Sequence, residues 1–168
     1  DAIGAASEEV ARTQALAREH AAVYAAIQNG TIDQFLAQNG AISESSREII
    51  AAYGEQARAA IAARDAATGR ADNIGVEGRR VLLDLETRIR AARTEGNYAE
   101  AAALERQRDI ERQRFGNREA YARQQAAVAQ DEVNAALKPI EAAAQAQAAA
   151  DAADVRAAQA RLAGLEVE

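Results

Sequence analysis

The sequence predicts an all-α protein of extended, alanine-rich helices that form helical hairpins. Alanine, the strongest helix former, accounts for 48 of the 168 residues, whereas proline occurs once. Apolar residues recur at helical spacing, and the stretches that carry them begin at Ser, Thr or Asn and end at Gly or Asn-Gly, as helices do. We therefore expect helices joined by tight turns and no sheet.

The chain is poor in large apolar side chains. Ile, Leu, Val and Phe together number 30, roughly 18% of the residues, in a chain that is the length of one domain. Helices draw most of their stability from packing, and this supply leaves each helix with too little apolar surface to bury. We therefore expect an oligomer, in the form of a ring or tube of identical chains, rather than a stable monomer.

The N-terminal segment predicts two helices. The first covers residues 7–28, carries an apolar stripe that includes His20, and ends at Gly30, a residue suited to a left-handed cap. A capping box that opens at Thr31 begins a short second helix, which ends at Gly40.

A third helix is predicted over residues 46–67, with a capping box at Ser45, and a glycine-rich turn is predicted at residues 69–78. No strand precedes the turn and no Gly-Lys-Ser/Thr sequence occurs in it, which excludes a P-loop. We expect a hinge or docking corner there. Its candidate docking residues are Gly69, Ile74, Gly75, Val76 and Gly78.

The second half of the chain predicts a helical hairpin and an alanine-rich C-terminal helix. Helices are expected over residues 79–95 and 98–137, the latter opened by a capping box at Asn97. Pro139 is expected to kink or break the chain, because proline removes a backbone donor and disfavours helix at the residue before it. A last helix is expected over residues 140–163.

The predicted helices and turn divide the chain into four segments, and the sequence has no internal repeat of fixed period. The segments are N-terminal helices at 1–68, the glycine-rich turn at 69–78, a hairpin with a long helix at 79–137, and an alanine-rich helix at 138–168. Apolar residues of the hairpin are candidate contacts between copies of the chain. They are Leu82, Leu85, Ile89, Ile110 and Tyr121.

Residue types that catalyse reactions or bind metals are scarce. His20 is the one histidine, and its place on an apolar stripe leads us to interpret it as a packing residue. A di-metal helical bundle needs Glu-x-x-His motifs, which a single histidine cannot supply, and the chain has no cysteine. Helix capping accounts for most of the serines. We therefore expect no catalytic residue, no metal, no cofactor and a non-enzymatic function.

Six arginines lie in residues 106–123, where a nucleic-acid contact is conceivable. Acidic residues are interleaved with them, and three pairs at i, i+3 spacing stabilise a helix surface by a few tenths of a kcal/mol each. The net charge of the chain is −6. We therefore interpret the segment as a solvated, salt-bridged helix face and expect no specific nucleic-acid readout.

One stretch carries a family resemblance. An Ala/Gln/Arg-rich helix at 55–67 is followed by Gly69, by Gly75-Val76-Glu77-Gly78 and by a charged helix from Arg79. This order resembles the smaller internal virion proteins, or ejection proteins, of short-tailed (podovirus) phages, which are helical, Ala/Gln-rich and carry a comparable Gly…Gly-x-x-Gly turn. The resemblance covers about residues 50–112.

The resemblance implies a structural protein packaged inside the capsid by the portal, which leaves with the DNA and helps to form a channel through the host envelope. Its expected partners are copies of itself and other virion proteins, such as the portal or other core proteins. Its expected location is inside the capsid or at the portal or tail, and then the host envelope. Because the sequence lacks Met and starts at Asp1, we expect an apolar segment upstream that reaches the envelope.

Two other functions stay open. The first is a non-enzymatic cellular coiled-coil adaptor or scaffold. The second is a nucleic-acid-binding hairpin centred on the arginines of residues 106–123. Separately, the stretch from Asn97 to Ile110 is similar to the small helical hairpin of nucleotide-excision repair proteins.

Overall fold

The computed structural model describes residues 1–167, which form four α-helices and no strand. The helices are α1 (Ala2–Asn29), α2 (Ile32–Asn39), α3 (Glu44–Thr94) and α4 (Tyr98–Val167). Helix accounts for 94% of the chain. The prediction of an all-α fold is therefore confirmed.

Glycines in the left-handed conformation end α1 and α3. Gly30 has φ 71° and ψ 24°, and the N–H of Thr31 donates to the carbonyl of Ala26 at 2.9 Å. Gly96 has φ 77°, and the N–H of the next residue donates to the carbonyl of Ala92 at 2.9 Å. Both ends have the bond from C″ to C3 that defines a Schellman motif, so these two predicted helix ends are confirmed.

The helix starts agree less well with the predicted capping boxes. Asn97 does cap α4, because its Oδ1 accepts the N–H three residues further on at 3.2 Å. Thr31 precedes α2 but makes no side-chain cap bond. The cap of α3 is Ser43 instead of Ser45, since Ser43 Oγ accepts the N–H of Ser46 at 3.2 Å.

The predicted glycine-rich turn at residues 69–78 is wrong, because these residues are helical and lie inside α3. A glycine inside a helix costs about 1 kcal/mol relative to alanine. Gly75 and Gly78 are nevertheless buried against α4, and a Cβ added to Gly78 would lie 3.0 Å from the Cβ of Phe115. These two glycines therefore permit close helix packing, and the segments predicted at 46–67 and 79–95 form one helix.

The predicted break at Pro139 is also wrong, because α4 is assigned as helix on both sides of the proline. A proline inside a helix costs about 3 kcal/mol, so other interactions must hold the helix together there. The next residue, Ile140, is completely buried and packs in one core with Val23 and Ile27. The segments predicted at 98–137 and 140–163 are therefore parts of a single helix.

The described chain divides into two compact units, which we call unit 1 (Asp1–Ile61 and Val133–Glu168) and unit 2 (Ala62–Glu132). In unit 1, α1 lies parallel to the start of α3 and antiparallel to the end of α4. Helix α1 begins at Ala2, five residues before the predicted start at residue 7. The buried core of unit 1 consists of Val23, Tyr24, Ala26, Ile27, Ile32, Ile49, Ala57 and Ile140.

Unit 2 is an antiparallel hairpin of α3 and α4. Arg123 donates to Asp72 at 2.8 Å, and Leu85 and Ile89 pack against Leu104 nearer the turn. Buried and half-buried positions recur at steps of three and four residues along both helices, close to the heptad spacing of a coiled coil, with one extra step of four at Leu85 on α3 and one at Phe115 on α4. On α3 they are residues 67, 71, 74, 78, 81, 85, 89 and 92, and on α4 they are residues 101, 104, 108, 111, 115, 119, 122, 126 and 129.

Candidate functional site

A buried histidine joins three helices of unit 1. His20 on α1 is 4% exposed, and both of its ring nitrogens have polar partners. Nδ1 lies 2.9 Å from Oδ2 of Asp151 on α4, and Nε2 lies 2.8 Å from Oγ of Ser45 on α3. Asp151 is itself 8% exposed and also accepts a bond from Gln147 at 2.9 Å. The histidine is therefore buried, as the sequence predicts, but within a polar network.

A carboxylate continues this network at the start of α3. Glu19 Oε1 accepts the N–H of Ser43 at 2.9 Å and its hydroxyl at 2.5 Å, and it also accepts the hydroxyl of Ser46, which is completely buried. The hydroxyls of Ser43 and Ser46 are the main reason that the pKa of Glu19 is lowered, with smaller contributions from the Ser43 N–H and from His20. Glu19 is thus held in its ionised form.

The two parts connect through serine hydroxyls, since Ser43 Oγ lies 3.1 Å from Ser45 Oγ. With a neutral His20, Nδ1–H donates to Asp151 and the Ser45 hydroxyl donates to Nε2. With a charged His20, Nε2–H donates to Ser45, whose own hydroxyl then donates to Ser43. Both ring nitrogens therefore have a partner in either state, and the Ser43–Ser45 contact is a hydrogen bond only with a charged His20, because with a neutral one the Ser43 hydroxyl donates to Glu19 and that of Ser45 to Nε2. Every buried side-chain polar atom among the described residues has a partner.

The order of Ser45, His20 and Asp151 is the order in which serine hydrolases place hydroxyl, imidazole and carboxylate. The neighbouring space does not suit that chemistry. A cavity of about 330 Å³ lies between α1 and α4 and is bordered by His20 and Asp151, but Ser45 does not line it. A molecule in the cavity would meet the imidazole and the carboxylate, and not the hydroxyl. The geometry therefore favours a role in holding three helices together.

We call this space the alanine cavity, because small side chains form its walls and polar ones its floor and rim. Tyr24 lies on the floor, where burial raises its pKa, with lesser contributions from Tyr53 and Asp151. The lining residues are Ala17, His20, Ala21, Tyr24, Ala25, Gln28, Ala144, Gln147, Ala148, Asp151 and Ala152.

The residues predicted to form contacts between copies fall into two groups. Leu85 and Ile89 are buried against Leu104 of their own chain, so their assignment as contacts between copies is wrong. Leu82 is half-buried on the same helix. Ile110 and Tyr121 are 66% and 64% exposed, and thus remain open to a partner.

The predicted docking corner is dispersed along α3. Gly75 and Gly78 are buried against α4, Ile74 is half-buried, and a Cβ at Gly69 would meet nothing within 4 Å. Val76 is the most exposed of the five residues, at 49%. These five residues therefore do not form one site.

The arginine-rich segment is a salt-bridged surface, as the sequence predicts. Asp109 lies 3.7 Å from Arg112, and Glu111 lies 3.9 Å from Arg114, at the expected i, i+3 spacing. The third expected pair is not formed, because Glu105 instead pairs across the hairpin with Arg93.

Sequence reasoning missed the partners of His20. Ser45 lies 25 residues away and Asp151 lies 131 residues away. The one available signal was an acid at 151, one of two aspartates in an alanine-rich stretch and the one on the side of the helix that carries the half-buried Ala144 and Gln147. Such an acid is conspicuous only after the neighbouring helices are known.

We expect Glu19→Gln to lower the free energy of unfolding by about 1–2 kcal/mol at neutral pH, because it removes charge-assisted bonds from two serines. The folded-state pKa of Glu19 is lowered, so its contribution is complete above the unfolded-state pKa of about 4.3 and is lost as pH falls through the lower folded-state value. Urea titrations of both proteins at neutral and acidic pH measure this difference. It should shrink in acid, and a difference independent of pH would contradict the assignment. Glu8→Gln, on the exposed side of the same helix, is the control.

No group of three or more metal-ligating side chains occurs within residues 1–167, and none of the helices described there has a stretch long and apolar enough to span a bilayer. No protein-family model matches the chain, and no curated protein or solved structure matches it either.

Proposed function

We propose that this protein is a non-enzymatic structural protein that acts by assembling with copies of itself. The observation that supports this most directly is a row of exposed apolar side chains on α4. Ile110, Tyr121 and Val128 are 66%, 64% and 52% exposed. At 100° per residue they lie within about 20° of one another around the helix axis. Exposed apolar side chains that share one face of a helix offer a surface on which a neighbouring chain can bury them.

Within this proposal, we favour the setting of an internal virion protein that helps to form a conduit for genome delivery. Its support is the alanine-, glutamine- and arginine-rich helices around residues 50–112. The helical conformation of residues 69–78 removes the turn from that resemblance, so the composition and order of the helices carry it. The expected partners are other virion proteins and, on ejection, the host envelope.

Assembly is tested first. We expect sedimentation velocity at micromolar concentration to show species larger than a monomer that dissociate on dilution. A cooperatively melting monomer at all concentrations would refute the proposed function.

The virion setting is tested separately. Particles released by cells that carry the coding sequence are purified, treated with protease on the outside and analysed by mass spectrometry. We expect protected protein inside the particle. An assembling protein that is absent from the particles would support the cellular adaptor or scaffold instead.

Nucleic-acid binding is distinguished by salt. Four of the six arginines of residues 106–123 have acidic neighbours within salt-bridge distance, so we expect weak duplex DNA binding with a shallow dependence on salt. Tight binding with a steep salt slope, measured by fluorescence anisotropy, would favour the nucleic-acid-binding hairpin.

A further inference from the structure

We infer that copies of this chain bind head to tail, with the exposed α4 row of one copy seated in the alanine cavity of the next. This inference rests on the proposed self-assembly and specifies the two surfaces that meet. We call Ile110, Tyr121 and Val128 the apolar row. The two surfaces are different, so the contact is heterologous: each copy has one of each, and each added copy offers a new free surface.

The alanine cavity has the form of a receptor for large side chains. Alanines on α1 and α4 line both walls, and several of them are exposed, so a neighbouring helix can approach closely. Its volume of about 330 Å³ is large enough for an aromatic side chain. Nothing within the described chain fills it.

The side chains of the apolar row are exposed, and the spacing of two of them matches the length of the alanine cavity. Tyr121 and Val128 are seven residues apart, a rise of about 10.5 Å along a helix. The walls of the cavity extend from Ala144 to Ala152 on α4, a rise of about 12 Å. Both side chains can thus enter the cavity together. Tyr121 also brings a phenol, whose oxygen accepts from Gln125 at 3.0 Å and whose hydrogen can donate to the polar floor.

The charges around the two surfaces differ, since the row has more basic than acidic neighbours and the cavity has no basic one. Within about 40° of the apolar row between residues 103 and 132, the charged side chains are the basic Arg106 and Arg114 and one acid, Glu132. By the same measure, the helix faces around Ala21 and Ala148 hold no cation; Asp151 lines the cavity, and Glu141 lies beyond its end on the same face of α4 as Ala148.

The units that carry the surfaces differ in charge as well. Residues 62–132 of unit 2 hold 13 acidic and 13 basic residues, so the whole net charge of −6 belongs to unit 1. Contact between unit 1 of one copy and unit 2 of another therefore brings an acidic surface to a neutral one, whereas contact between two copies of unit 1 is repulsive. Charge thus favours the unlike pairing.

Two single variants test the surfaces one at a time. Ala148→Leu fills the cavity, and Tyr121→Ser removes the largest side chain of the row. We expect each to raise the apparent dissociation constant of the assembly about tenfold or more, as measured by sedimentation velocity. Ala149→Leu and Tyr98→Ser are matched controls, since these exposed residues lie away from the two surfaces, and they should assemble as the wild type does. Unchanged far-UV circular dichroism excludes misfolding.

A mixing experiment tests the head-to-tail pairing itself. The Ala148→Leu variant keeps its row and the Tyr121→Ser variant keeps its cavity, so an equal mixture should form a one-to-one dimer that cannot extend. Two outcomes would overturn the inference while leaving self-assembly intact: no dimer in the mixture, or an effect of Leu83→Ser, on the exposed face of α3, in place of Tyr121→Ser. A wild-type protein that never assembles would instead refute the proposed function.

Discussion

Replacing His20 with leucine should lower the free energy of unfolding by about 3–5 kcal/mol. The substitution leaves Asp151, which is 8% exposed, with a buried carboxylate and one remaining side-chain donor, Gln147. It also removes the partner of Ser45 on a third helix. Losing one member of a buried polar pair costs far more than the pair itself contributes, because the other member stays desolvated. Urea titration followed by far-UV circular dichroism measures the change.

A double variant separates this explanation from a simple loss of packing. In His20→Leu/Asp151→Leu the stranded carboxylate is gone, so we expect more than half of the lost stability to return. Arg161→Leu is the control: it breaks an ion pair with Glu9 between the same two helices, but at exposed positions, and should cost less than about 1 kcal/mol. If the double variant is as unstable as the single one, the network does not stabilise the fold in the way described.

The second large effect is expected for Gly78→Val, with a loss of about 2 kcal/mol. A Cβ at position 78 would lie 3.0 Å from Cβ and 3.1 Å from Cγ of Phe115, closer than side chains pack, so α3 and α4 must separate. The gain in helix propensity over glycine is smaller than this cost. Because both helices belong to one chain, the damage falls on the hairpin itself and lowers the midpoint of urea unfolding.

Gly69→Val is the matched control, because it adds the same atoms at a glycine nine residues earlier in the same helix. A Cβ there meets nothing within 4 Å, so only the helix propensity changes and stability should rise by a few tenths of a kcal/mol. Opposite signs for the two variants would support the packing role of Gly78. Equal effects would show that glycine acts here only through the backbone.

The sequence was sufficient for the helical class and for those helix ends that local chemistry determines. Gly30 and Gly96 adopt positive φ, and Asn97 caps α4, because each depends on neighbours a few residues away. The two interruptions were predicted wrongly for the opposite reason. Gly78 and Pro139 both disfavour helix locally, but contacts with residues far away in the sequence offset that cost. Gly78 packs closely against Phe115, and Ile140, next to Pro139, is buried in the core with Val23 and Ile27.

The candidate site was accessible to sequence reasoning only in part. Ile110 and Tyr121 were selected as candidate contacts between copies and are exposed, but the same selection included Leu85, which is buried in its own chain, because apolar spacing alone does not separate an inward-facing from an outward-facing position. The pairing of His20 with Asp151 was not predicted, because an antiparallel packing of α1 on α4 brings them together. The position of His20 or Asp151 in the sequence does not indicate which helix packs beside it.

The seam of unit 2 repeats small side chains, which leaves the alignment of its two helices weakly specified. A slip of α4 along α3 by one heptad would exchange Ala122 for Ala129 with little change in packing at that end of the seam, although it would separate Leu104 from Leu85 and Ile89 near the turn. Phe115 prevents this slip: one heptad to either side of Gly78 stand Ala71 and Leu85, which leave the ring no space. The ring of Phe115 in the gap at Gly78 thus fixes the register in the middle of the hairpin, where small side chains alone would not, and the Leu85–Ile89–Leu104 cluster fixes it near the turn.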